Sequence, residues 1–264
     1  MLQKTPIRPQ APCHLDCWKA ASALIDMTLV TFFGCALTAY GPSLAIFFGC
    51  IAPNAQLVIL MVSSAFFWLL SLLLASAIWF MAKSSQHTYT STIIYTVLLQ
   101  ELFRWFLFHL ISRAEKGLNM VAHHPTSKFN RSGYAFAAGL GFGLMFGIIS
   151  FITQLVQSLG PGVLMCVSCP NLSLYFISAL TTSLLILHHC AWMMISFTGF
   201  TQRSYARIVW VIVSHYGASY LTLLNSSKTV PLGCAYSLVA NAVLLVASVV
   251  IVVADLRNLH YKTS

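Results

Sequence analysis

The chain has 264 residues, 58% of them hydrophobic and only 7% charged, with a mean hydropathy of +0.82. Soluble domains carry roughly 25% charged residues, so a surface with this few charges excludes a globule that lives in water. The formal net charge of +9 rests on 14 Lys and Arg scattered between apolar runs, which argues against nucleic acid and for a membrane surface.

A membrane helix needs about 20 mostly apolar residues. Runs of that length, bounded by charges or turn residues, fall at 27–51, 55–82, 88–111, 133–157, 172–200, 205–225 and 231–254. The expected fold is therefore all-α, a polytopic bundle of seven transmembrane helices. The alternating strands of a membrane barrel are not present in the pattern. Pro53-Asn54, Gly160-Pro161-Gly162 and Asn225-Ser226-Ser227-Lys228 punctuate the runs.

Ahead of the first run, residues 1–26 contain Pro6, Pro9 and Pro12 but no continuous apolar stretch, and they read as an extension with no cleaved signal peptide. Residues 27–254 form the membrane domain and 255–264 a tail. Seven crossings put the two ends on opposite sides. Arg113, Lys116, Lys128, Arg131, Arg203, Arg207, Arg257 and Lys262 fall on the side of the C-terminus, while Lys83 and Lys228 join Lys4, Arg8 and Lys19 on the other. Positive residues collect in the cytosol, so the C-terminus is expected there and the N-terminus in the lumen or outside the cell.

The third span holds Glu101 and Arg104, one acid and one base at i and i+3 on one helical face. Ionisable groups at bilayer depth are costly and mark candidate sites. The plainer reading is a structural ion pair near the cytosolic end of that span, with Arg104 reaching toward headgroups. The fourth span repeats Gly139, Gly143 and Gly147 every four residues, a smooth groove that admits another helix either from this chain or from a partner. His188 and His189 lie near the middle of the fifth span and His215 near the middle of the sixth. Counted from the shared turn, His189 is 12 residues before Thr201 and His215 is 11 after Ser204, about 15–20 Å deep at 1.5 Å per residue. At matched depth the two are placed to face one another and share a proton or water, as a functional pair or as an interhelical hydrogen bond.

Cys35, Cys50, Cys190 and Cys234 sit in or beside apolar runs and read as small hydrophobes. Cys166-Val-Ser-Cys169 leaves three readings open: a strained disulfide, a metal site short of ligands, or nothing. No cofactor or metal is expected. Sequons occur at Asn130, Asn171 and Asn225; the first is placed in the cytosol and the others close to the bilayer, so little glycosylation is expected.

In order along the chain come Phe32-Phe33-Gly34-Cys35 with Tyr40-Gly41-Pro42, Phe66-Phe67-Trp68-Leu69, Ser71-Leu72-Leu73-Leu74-Ala75-Ser76 and Leu99-Gln100-Glu101 with Phe103-Arg104. Ala114-Glu115-Lys116-Gly117-Leu118, the glycine face, Leu159-Gly160-Pro161-Gly162-Val163 and the histidines with Trp192 follow. From about Met27 to Asp255 this set resembles the anterior pharynx-defective family, the seven-span subunit of gamma-secretase. Residues 1–26 and a short stretch between the second and third spans depart from it.

The resemblance implies a non-catalytic scaffold that assembles with nicastrin, presenilin and the presenilin-enhancer subunit in endoplasmic reticulum, Golgi and later membranes. The complex cleaves type I membrane proteins such as Notch and the amyloid precursor. It also implies that Gly139, Gly143 and Gly147 pack helices and that His189 and His215 serve assembly and activity. The chemistry agrees with that assignment, because intramembrane aspartyl proteolysis needs two aspartates at depth and Asp16, Asp26 and Asp255 all lie at span ends or beyond. A serine–histidine site lacks its Gly-x-Ser-Gly run. The catalytic alternative is a glutamate/histidine hydrolase similar in plan to the CAAX-type prenyl proteases, using Glu101, His189 and His215; Gln100 stands where those enzymes favour a second glutamate. A seven-span receptor lacks its Asp/Glu-Arg-Tyr and Asn-Pro-x-x-Tyr signatures.

Overall fold

The computed structural model describes residues 14–82, 89–121, 128–160, 162 and 164–263, with side chains left undescribed at 14–27, 89, 116–121, 128–130 and 259–263. The expectations for residues 1–13 and Lys83, and for the side chains of Lys116, Lys128, Asn130 and Lys262, fall outside that set. Helix α1 runs His14–Ile46 and closes in a π-helical turn, Phe47–Ile51. It is followed by α2 Ala55–Met81, α3 Tyr89–Val121, α4 Lys128–Gln157, α5 Leu174–Gln202, α6 Tyr205–Thr222 and α7 Gly233–Thr263. A 3-10 turn, Leu223–Ser226, extends α6.

Seven of these stretches are long and apolar enough to cross a bilayer: Thr28–Ile51, Ala55–Met81, Thr90–Glu115, Arg131–Gln157, Leu174–Gln202, Tyr205–Ser226 and Gly233–Asn258. Among the described residues no strand forms, and the chain is a multi-pass membrane protein. Four boundaries differ from the sequence reading by five residues or more, two of them being that α4 begins at Lys128 rather than 133 and that α7 runs on to Thr263, through the stretch read as a tail. The first helix begins at His14 rather than 27, because Lys19-Ala20-Ala21-Ser22-Ala23-Leu24 favours helix without being apolar enough to mark a span. The third continues to Val121, since the charges that end an apolar run do not end a helix.

Order within the bundle follows from residue size. α4 and α5 are its mostly buried centre, whereas the other spans keep most of their surface outward. α2 and α1 lie against α4, α7, α6 and α1 lie against α5, and α3 closes onto α2 and α6. Outward residues such as Val30, Phe33, Leu37, Phe80, Leu98 and Val250 are large and apolar, as a lipid-facing surface requires.

The glycines explain how α4 reaches the centre. A Cβ at Gly139 would stand 2.7 Å from the Cα of Cys190, and one at Gly143 would stand 2.6 Å from the carbonyl oxygen of Ile186. At Gly147 the nearest atom would be the Cδ1 of Ile186, at 2.5 Å. All three therefore face α5. Gly141 points the other way, where a Cβ would collide with the Met61 carbonyl and the Ser64 hydroxyl of α2. The groove is filled from within the chain.

At the end of the bundle where α4 gives way to α5, the described residues 158–160, 162 and 164–173 include a small cap. The Leu174 amide donates to Leu164 O at 2.8 Å and the Cys166 amide to Leu172 O at 2.9 Å. Cys169 is disulfide-bonded to Cys234 at the start of α7. This corrects the expectation that Cys234 is a simple hydrophobe and resolves the open readings of Cys166 and Cys169, for Cys169 pairs across 65 residues and not with Cys166. Spacing within Cys166-Val-Ser-Cys169 drew attention to the wrong partner because the true one lies two helices later. Cys166 is a buried free thiol whose Sγ donates to Asn225 O at 3.3 Å. Ser168 Oγ donates to the same oxygen at 3.1 Å and accepts from the Cys234 amide at 3.0 Å.

Candidate functional site: a buried charge cluster at mid-membrane

Glu101, Arg104, His189 and His215 meet in one place, contributed by α3, α5 and α6. Arg104 is completely buried and forms an ion pair with Glu101 through Nη1. Its Nη2 lies 3.2 Å from Nδ1 of His189. A guanidinium only donates, so Nδ1 of His189 must accept and the ring proton sits on Nε2. Glu101 Oε1 also receives Nδ1 of His215 at 2.6 Å. A carboxylate only accepts, so here the same ring atom donates.

The two histidine rings stand edge to face with centroids 5.3 Å apart, and neither bonds to the other. Each is instead tied to one member of the ion pair. The expected facing of His189 and His215 at equal depth is thus seen, while the direct sharing of a proton is replaced by a link through Arg104 and Glu101. Arg104 does not reach toward headgroups. It turns inward because α3 extends well past residue 111, which moves this residue from near a membrane edge to the middle of its span.

Aromatic rings wall the cluster. The guanidinium carbon of Arg104 lies 5.5 Å from the Phe142 centroid and 5.9 Å from that of Trp192. A ring face attracts a cation, and more strongly where water is excluded. Trp192 is sandwiched, stacking on His188 at 4.7 Å and on His215 at 4.4 Å. Phe142 and Phe146 pack on His189 at 5.4 and 4.9 Å. The Gly139–Gly143–Gly147 face lies directly beside it, for a Cβ at Gly143 would stand 3.0 Å from the Cβ of His189. The glycines bring α4 close enough for its phenylalanines to seal the charges.

Sequence reasoning missed several partners. His188 Nε2 donates to the carbonyl of Asn241 at 3.0 Å, joining α5 to α7. Trp210 Nε1 donates to Ser248 Oγ at 3.2 Å. Arg207 grips Asp255 through Nε at 2.9 Å and through Nη2, so a residue assigned to the tail closes the end of α7 onto α6. The signal for these was available on α7, where Ser237, Asn241, Ser248 and Asp255 line one buried stripe of an otherwise aliphatic helix.

The one carboxylate oxygen that binds Arg104 also binds His215, and both histidines are committed through Nδ1. No group of three or more His, Cys, Asp or Glu placed to hold a metal ion occurs among the described residues.

A model of the Aph-1 protein family matches residues 30–255. The chain is 34% identical over 203 residues to a fruit-fly protein, Gamma-secretase subunit Aph-1 of Drosophila melanogaster, covering 76% of this chain and 84% of that one. It is also 34% identical over 220 residues to Gamma-secretase subunit APH-1B of Homo sapiens, covering 80% and 84%. A plant protein, Gamma-secretase subunit APH1-like of Arabidopsis thaliana, is 28% identical over 207 residues, covering 75% and 83%.

Proposed function

Since this chain belongs to the Aph-1 family, we propose that it is a non-catalytic scaffold subunit of a gamma-secretase complex, assembling with presenilin, nicastrin and the presenilin-enhancer subunit. The cleavage of type I membrane proteins such as Notch and the amyloid precursor is left to catalytic aspartates in another chain. The observation that carries this reading is the commitment of Glu101. It is the carboxylate at mid-span, and its Oε1 holds both Arg104 and His215 inside an aromatic wall. The carboxylate is thereby held by Arg104 of its own helix and by His215 of α6, a binding role that ties two spans together.

In this reading Gly139, Gly143 and Gly147 serve assembly indirectly. They let α4 and α5 form a rigid centre, and the outward faces of α1, α2, α3, α6 and α7 remain for partners and lipid. The orientation proposed is N-terminus in the lumen or outside and C-terminus in the cytosol, with residues 1–26 as the outer extension and 255–264 as the tail. The disulfide supports it, because Cys169 and Cys234 sit on the N-terminal side of the bundle and disulfides persist in oxidising compartments. Endoplasmic reticulum, Golgi and later membranes share that geometry.

The test is purification of the tagged chain in mild detergent with identification of what comes with it. An aspartate-bearing membrane protease and nicastrin are expected. Hydrolysis of substrate by the isolated chain, abolished by Glu101→Gln with assembly intact, would overturn the reading.

A further inference from the structure

Three sulfurs meet where the cap joins α7. Cys166, Cys169 and Cys234 pack with Ile177 into one buried cluster, in which Cys169 and Cys234 form the disulfide and Cys166 is the free thiol. Cys166-Val167-Ser168-Cys169 is also a Cys-x-x-Cys run, so a thiol stands one short turn away from an end of the bond.

Local geometry puts that thiol within reach. The Cys169 amide donates to Cys166 O at 3.2 Å and closes a four-residue turn. Such a turn keeps its end Cα atoms within about 7 Å, and disulfides bridge Cα atoms about 4.4–6.8 Å apart. Ser168 Oγ lies 3.6 Å from Cys166 Sγ and 4.0 Å from Cys169 Sγ, so the two sulfurs flank one hydroxyl. That hydroxyl and Cys166 Sγ both donate to Asn225 O, which parks the thiol beside the disulfide. All three cysteines are buried, so a thiol in solution is kept from a bond that Cys166 already adjoins.

The far end of the bond is attached to strained backbone. Leu232, two residues before Cys234, sits at φ 59°, in the left-handed region that a residue other than glycine occupies at a cost. Its amide donates to Ser168 O at 3.0 Å, and the Cys234 amide donates to Ser168 Oγ at 3.0 Å. The disulfide therefore latches a strained entry to α7 against the cap.

From this arrangement we propose that the cap is a thiol–disulfide exchange site, in which Cys166 takes over Cys169 from Cys234. The Cys166 thiol gives up its proton and its sulfur attacks Cys169 Sγ. The Cys166–Cys169 bond forms as the Cys169–Cys234 bond breaks, and the released Cys234 sulfur takes up a proton. One disulfide and one thiol stand on each side of the step, so no oxidant or reductant is consumed. A link across 65 residues is exchanged for one within a single turn, and the cap is unlatched from α7. The structure is the latched form. The inference is independent of the scaffold reading, since it requires only the three cysteines.

The experiment takes the full chain, purified in mild detergent with whatever subunits accompany it, and treats it with excess N-ethylmaleimide at about pH 8, where a thiolate is available to attack. With every released thiol blocked, a non-reducing digest and mass spectrometry read which bond each molecule held. The expected map contains a peptide closed by Cys166–Cys169 with Cys234 alkylated, beside the Cys169–Cys234 pair with Cys166 alkylated. In Cys166→Ser, which keeps a donor toward Asn225 O, alkylation of Cys234 is expected to fall at least tenfold. In Cys234→Ser the Cys166–Cys169 bond is expected to form by itself. An unaltered chain that yields only the Cys169–Cys234 bond, undiminished Cys234 alkylation in Cys166→Ser, or two alkylated thiols at Cys166 and Cys169 in Cys234→Ser overturns the proposal.

Discussion

Gly143→Ala tests whether glycine is needed at the α4–α5 contact or merely tolerated there. The added Cβ would stand 2.6 Å from the Ile186 carbonyl oxygen and 3.2 Å from the Ile186 Cα, both backbone atoms that cannot swing aside. Relief requires α4 and α5 to part by about half an ångström or more, and overpacking of this kind costs about 1–3 kcal/mol. The separation also draws Phe142 and Phe146 off His189, so the upper part of that range is expected. Gly147→Ala is the internal control, because its Cβ would meet the ends of the Ile186 and Thr182 side chains, which can turn, and less than about 1 kcal/mol is expected. Gly34→Ala has nothing within 4 Å and gains helix propensity, so no loss is expected there. Thermal unfolding in one detergent, read by tryptophan fluorescence, should rank the variants Gly34, Gly147, Gly143 in order of increasing damage. Equal melting of the Gly143 and Gly34 variants would refute the close-packing argument.

Glu101→Gln leaves the Arg104 charge buried without its counter-ion and is expected to cost about 3–5 kcal/mol, whereas the Glu101→Gln, Arg104→Met double variant is expected to melt higher than the single; detergent melts of both settle it. His189→Ala and His215→Ala reach each other through the ion pair, so a double-mutant cycle on complex recovery should show a coupling of about 0.5 kcal/mol or more, and strict additivity would count against the shared cluster. Cys169→Ser opens a loop spanning 65 residues, for which the chain-entropy relation gives about 4 kcal/mol; the loss should appear in non-reducing melts and vanish when both forms are reduced. Asp255→Asn weakens a partly exposed pair with Arg207, and a melting change equivalent to no more than about 1 kcal/mol is expected.

What the sequence made legible was whatever the bilayer enforces. Each span covers at least one hydrocarbon thickness, so apolar length alone located all seven to within a few residues, and the equal depth of His189 and His215 followed from counting along two antiparallel helices. Contact partners were a different matter. That Gly139, Gly143 and Gly147 make a groove follows from their spacing, but whether α5 or another protein fills it depends on bundle order, which no single span encodes. Arg104 was misplaced for a similar reason, since its burial depends on how far α3 continues past its apolar run. The Cys169–Cys234 bond and the Arg207–Asp255 pair join residues 65 and 48 apart, and local spacing carries no trace of such pairings.

The charge cluster and the glycine face are two halves of one device. A mid-membrane ion pair is tolerable only if its hydrogen bonds are met and water and lipid are both kept out. His189 and His215 meet the first condition in part, one accepting from Arg104 Nη2 and the other donating to Glu101, while Arg104 Nε is left without a partner. The second falls to Phe142, Phe146 and Trp192, two of which ride on α4 and reach the site only because Gly139 and Gly143 let that helix lie against the backbone of α5. The cluster in turn fixes α3 and α6 around α5, because its bonds are directional where aliphatic packing is not. In lipid, helices gain little from hydrophobic expulsion, so close backbone approach and directional polar contacts carry the specificity of the bundle. A chain built this way spends its ionisable residues on holding a shape.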